Sequence, residues 1–137
     1  MCSSDLFGVL VTLSTPVRVF DSRKVTPTWG GTKLASGQSV GIPLGGNFGG
    51  GIGISAFVNI TITGTTGSGF LIVRPSDGAG NVPLPNTSNI NWIAAGVTDA
   101  NLTLVAVGFE SYIEVHCAGS GSTHVIVDLQ GYVPFVS

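Results

Sequence analysis

Along most of this chain apolar and polar residues alternate with a period of two, and almost nowhere with the 3.6 of a helix. The pattern is cleanest over residues 54–63. There Ala56, Val58, Ile60 and Ile62 fall on one face, and Asn59, Thr61 and Thr63 on the other. Over residues 101–107, Leu102, Leu104 and Ala106 alternate with Asn101 and Thr103, which predicts leucines turned inward. Thr, Val and Ile dominate these runs, and Gly, Pro, Asn and Ser interrupt them. Nine strands are predicted, over residues 6–13, 17–20, 38–43, 54–63, 69–73, 88–93, 101–107, 111–116 and 123–129. No capped amphipathic stretch reaches helical length. Short strands with one wet face each predict an all-β, antiparallel chain: a two-sheet β-sandwich or jelly roll. Its core is expected from the alternating faces of 54–63, 101–107 and 123–129.

Composition sharpens this picture. At 137 residues the chain fits one domain with a self-sufficient core. Five Lys+Arg stand against seven Asp+Glu, a net charge of −2, and only 9% of residues are charged. Electrostatic binding of nucleic acid needs clustered Lys and Arg, so that class is excluded, and the apolar content excludes disorder. A soluble domain usually carries about a quarter charged residues. The outer surface here must instead be Ser, Thr, Asn, Gly or apolar, a surface suited to packing against another protein. No apolar run reaches the length of a membrane-spanning helix. The stretch 6–13 follows Met1 with Asp5 before it and no basic segment, so export through the usual secretory route is not expected.

Candidate chemistry is thin. His116 and His124 bracket the turn at 117–122, and a hairpin there would bring them together near Glu114 or Asp128. Because that geometry depends on an unknown register, two ordinary polar residues on neighbouring strands are the favoured reading, and no metal or cofactor is expected. Asp21-Ser22-Arg23 and Arg74-Pro75-Ser76-Asp77 each set an acid near an arginine at a strand end, favouring ion pairs over ligand contacts. Glycine runs at 45–53 and 77–81 lack the following Lys-Ser/Thr or helix start of a phosphate cradle, so both are expected to be loops. Cys2 and Cys117, near opposite ends, are expected as separate thiols. No nucleophile elbow is present, and an enzyme is not expected. Trp29, in the loop Pro27-Thr28-Trp29-Gly30-Gly31, is the candidate surface aromatic for stacking on a sugar. Trp92 is expected in the core or an interface.

Several blocks follow one another in a distinctive order: Arg18-Val19-Phe20-Asp21-Ser22-Arg23, Asn59-Ile60-Thr61, Gly69-Phe70-Leu71-Ile72-Val73-Arg74-Pro75, Ser88-Asn89-Ile90-Asn91, and His124-Val125-Ile126-Val127-Asp128-Leu129-Gln130-Gly131-Tyr132. Across residues 15–133 this resembles a β-rich accessory module of actinobacterial surface and secreted proteins. The resemblance implies a non-catalytic role and carries no catalytic residues over.

A copy standing alone from Met1, made in the cytoplasm, suits a bacteriophage of actinobacteria. The expected function is then a virion structural protein, most simply a capsid decoration or accessory protein, or a tail protein. Its expected partners are further copies of itself and other virion proteins such as the capsid lattice, with host-surface glycans as a further class and neither nucleic acid nor membrane. The alternative is a carbohydrate- or wall-binding adhesion module at the actinobacterial cell surface. Residues 1–14 are expected as an arm or edge strand ahead of a single domain at 15–137. In that arm Phe7, Val9, Leu10, Val11 and Leu13 are the candidate assembly residues, because both faces of the segment are apolar.

Overall fold

The computed structural model describes residues 10–48, 53–76, 89–108 and 111–134. Eleven strands follow in chain order: β1 (Val11–Asp21), β2 (Val25–Thr26), β3 (Trp29–Gly30), β4 (Leu34–Ala35), β5 (Ser39–Pro43), β6 (Gly53–Thr66), β7 (Gly69–Pro75), β8 (Ile90–Trp92), β9 (Asp99–Ala106), β10 (Tyr112–Gly119) and β11 (Ser122–Pro134). One turn of 3-10 helix at Gly45–Asn47 follows β5. Every pairing among the described residues is antiparallel, so the fold is all-β as the period of two predicts. The first sheet runs β1-β11-β6-β9, with β4 beside the start of β11. The second runs β5-β10-β7-β8, and β2 and β3 form a small hairpin of their own.

Inward side chains of both sheets join one hydrophobic cluster. From β6 come Ala56, Val58, Ile60 and Ile62, all fully buried and on the face that alternation assigned them. Opposite them stand Val40 and Ile42 of β5, Leu71 and Val73 of β7, and Ile113, Val115 and Cys117 of β10. Each such aliphatic side chain contributes roughly 1.5–3 kcal/mol on burial. Trp92 lies in this core and takes its position from a glycine. A Cβ on Gly69 would stand 2.5 Å from the indole, so only glycine fits beneath the ring.

Three expectations are corrected. Leu102 and Leu104 point outward, at 62% and 57% exposure, while Val105 on the opposite face of β9 is buried. Residues 101–107 carry apolar side chains on both faces, and a shift of one residue exchanges the faces. The turn at 117–122 is not a hairpin. It carries the chain from β10 in the second sheet to β11 in the first, so His116 and His124 lie on different sheets. The strands expected at 6–13 and 17–20 are continuous as β1 over their described part. Between Thr12 and Val17, β1 advances five residues while β11 advances two from Gly131 to Leu129, a bulge that absorbs Pro16. β1, which spans position 14, is an edge strand of the first sheet. Strands β2, β3 and β4, two residues each, are too short to show a period. Of the expected features, Cys2, Phe7, Val9, residue 88 and the loops at 49–52 and 77–81 lie outside the described residues.

Candidate functional site

Two surface features are built by this arrangement. The first is an apolar stripe across the outer face of the first sheet. Cross-strand register sets Thr12 of β1 against Gly131 of β11, Gly131 against Phe57 of β6, and Phe57 against Leu104 of β9. At Gly131 the missing side chain opens a groove of about 180 Å³ between Leu10, Thr12, Phe57, Leu102 and Gln130. Glycine is required there, since a Cβ would meet the carbonyl oxygen of Val11 at 2.7 Å. A bulge between Leu129 and Gly131 resets the phase of β11, turning Gly131 outward and Tyr132 into the core against Phe48. Of the assembly residues expected from sequence, Leu10 lines this groove at 44% exposure, whereas Val11 and Leu13 are half-buried against the core.

The second feature is a cleft of about 380 Å³ where β1 and β5, the edges of the two sheets, come near each other. Arg18, Phe20, Asp21, Lys24, Thr28 and Gly41 are among its walls. Asp21 is buried and held by several donors. Its carboxylate accepts from the backbone N–H of Arg23 at 3.0 Å and from the guanidinium of Arg23 at 2.9 and 2.8 Å. Those hydrogen bonds hold its carboxyl down at about 2, against burial, which pulls the other way. Arg18 donates to both oxygens of Asp128 on the neighbouring strand, at 3.0 and 3.4 Å. Arg18 also stands 3.9 Å from Asp21, so two arginines, Arg18 and Arg23, meet two carboxylates, Asp21 and Asp128. Trp29 sits beside this network, half-buried and edge-on to Phe20 at 6.0 Å. Its indole N–H donates to the carbonyl of Thr32 at 2.8 Å, so the ring braces the β2–β3 hairpin against β1.

The two histidines have separate partners. The hydroxyl of Ser22, fully buried, shares a hydrogen bond with Nδ1 of His124 at 2.9 Å and accepts from the N–H of Val125 at 2.8 Å. That hydroxyl ties β1 to β11 and is closed to substrate. Burial, with Lys33 and Arg23 nearby, lowers the pKa of His124. His116 of β10 faces Ser39 of β5 at 2.6 Å. Among the described residues no three His, Cys, Asp or Glu side chains gather as a metal site. Cys117 is buried with its thiol pushed up to about 11 by burial, and it donates to the carbonyl of Leu34 at 3.6 Å.

The outer face of the second sheet carries Arg74 of β7 directly opposite Glu114 of β10. Their side chains are 9% and 11% exposed and form a 2.9 Å ion pair. Sequence reasoning placed an ion pair at Arg74 but expected its acid within the local run, at Asp77. A cross-strand partner forty residues away leaves no local signal. Nor did sequence reasoning find the Gly131 groove, whose only trace was a glycine in an otherwise regular strand. Compared with known proteins, the chain matches no family model and no curated protein.

Proposed function

We propose that this protein is a non-enzymatic structural subunit, its two sheets packed face to face as a β-sandwich, that builds into a larger protein assembly. The setting we favour is the virion of a phage of actinobacteria, as a capsid decoration or tail accessory subunit. One observation carries the reading: Leu102 and Leu104 stand more than half exposed beside the Gly131 groove, on a chain with only 9% charged residues. Adjoining exposed leucines on a sheet face mark a surface that other protein covers. The resemblance to an accessory module without catalytic residues supports the same reading. Its test is fractionation of particles from the source phage lysate on a density gradient. The protein is expected to band with intact virions; recovery only in the unassembled fraction contradicts the proposal.

A second reading rests on the cleft between β1 and β5. Phe20 offers an apolar wall, while Arg18, Lys24, Thr26 and Thr28 offer donors, a combination that suits a polar sugar carrying negative charge. Retention on purified actinobacterial cell walls, lost in Phe20→Ala, is the result this reading expects. Equal retention of both proteins contradicts it.

A further inference from the structure

The outer strands of the two larger sheets are β1, β9, β5 and β8, and three of these four edges are blunted. β1 carries Pro16 inside its bulge and Arg18 in its length. β5 is five residues long and ends in Pro43. β8 is three residues long. β9 is different. Its eight residues, Asp-Ala-Asn-Leu-Thr-Leu-Val-Ala, contain no proline and no lysine or arginine. Its register with β6 runs unbroken from Ser55 opposite Ala106 to Ile62 opposite Asp99. Among the described residues no backbone hydrogen bond from another element reaches its far side. A regular edge of this length, with Asp99 at its end as its one charge, is a template for another strand.

We propose that a second copy of this chain adds there, β9 against β9, joining the two first sheets into one continuous sheet across a two-fold axis. The sequence of β9 is complementary to itself in one antiparallel register. Centred on Thr103, the pairing sets Leu102 against Leu104 of the partner copy, and Leu104 against its Leu102. Asn101 then faces Val105, and Asp99 faces Val107 at the far end, so no like charges oppose each other. Centring on Leu102 or Leu104 instead leaves one leucine opposite an alanine. Because Leu104 already pairs with Phe57 within each subunit, the two leucines extend the apolar stripe from one copy into the next. A two-fold interface of this kind uses the same patch on both subunits and closes on itself. This inference deepens the structural-subunit reading by naming the first partner.

The experiment is sedimentation equilibrium of the full chain from about 1 to about 200 µM. A reversible dimer is expected, and a monomer throughout overturns the proposal. Leu104→Lys is expected to weaken the dimer about tenfold or more while the melting temperature of the dilute monomer holds. Val25→Lys, at a side chain 79% exposed on the distant β2–β3 hairpin, serves as the control. Equal effects of the two substitutions, or none from Leu104→Lys, contradict the assignment. Register is read separately in a Cys2→Ser background. A mixture of Leu102→Cys and Leu104→Cys chains is expected to form an interchain disulfide faster than either chain alone. Equal rates overturn the Thr103-centred pairing, and this readout stands even if Leu104→Lys fails to fold. A monomer that still bands with virions removes self-pairing alone, whereas a dimer absent from virions removes the virion reading alone.

Discussion

The outer faces of the two sheets solve the same problem in opposite ways. On the second sheet Arg74 and Glu114 lie directly across from each other, and Ile72 beside them is only 5% exposed. That face is finished within the subunit. On the first sheet Leu102 and Leu104 stand open beside a groove floored by a glycine. The edges repeat the contrast, for β1 is closed by a bulge and by the Arg18–Asp128 and Arg23–Asp21 pairs, whereas β9 presents a regular strand with two exposed leucines. Burial fraction, more than hydrophobicity, separates a residue that holds the fold from one left for a partner.

The largest expected effect sets core against stripe. Ile60→Asp would bury a carboxylate with no partner and cost about 4 kcal/mol or more, enough to abolish cooperative unfolding. Leu104→Asp, although it lies in the neighbouring strand, is expected to change the stability of the dilute monomer by less than about 0.5 kcal/mol in urea titration. Comparable damage from both would place the β9 leucines in the core and break the comparison.

Next comes the finished face itself. Glu114→Leu strips the carboxylate from a buried arginine and is expected to cost about 3 kcal/mol. Arg74→Met together with Glu114→Leu should restore most of that loss, because an apolar pair of similar volume needs no desolvated charge. If the double variant is as unstable as the single, the ion pair supplies more than mutual neutralisation.

A smaller effect concerns the closed edge. The folded carboxyl of Asp21 titrates at about 2, below its ordinary 3.8. Its contribution is therefore complete above about pH 4 and is lost as pH falls toward 2. Asp21→Ala is expected to cost about 1–3 kcal/mol near neutrality and to flatten the acid limb of a stability–pH curve. An unchanged acid limb would show that the Arg23 pair adds nothing to closure of this edge.

Much of the fold was legible because one-sided alternation is unambiguous. Asn59, Thr61 and Thr63 interleave with Ala56 to Ile62, so β6 admitted one orientation. In β9 the same logic failed, since Leu102 and Leu104 on one face compete with Val105 and Val107 on the other. The wrong choice there hid the stripe, which is the part of the molecule offered to a partner. Turn chemistry misled in a related way. The glycines and serines at 117–122 serve a crossing between sheets as well as a hairpin, and only long-range pairing separates the two. Asp21 and Arg23 were visible as a charged strand end, but the pair of Arg18 with Asp128, more than a hundred residues away, forms through register alone.

The central claim is that β9 is the edge another chain covers, and backbone hydrogen exchange tests it most directly. Amides of residues 99–106 should gain protection as protein concentration rises through the association range, while those of 39–43 on the blunted β5 edge stay constant. Concentration-independent exchange at β9, or protection gained at β5 instead, would contradict the account.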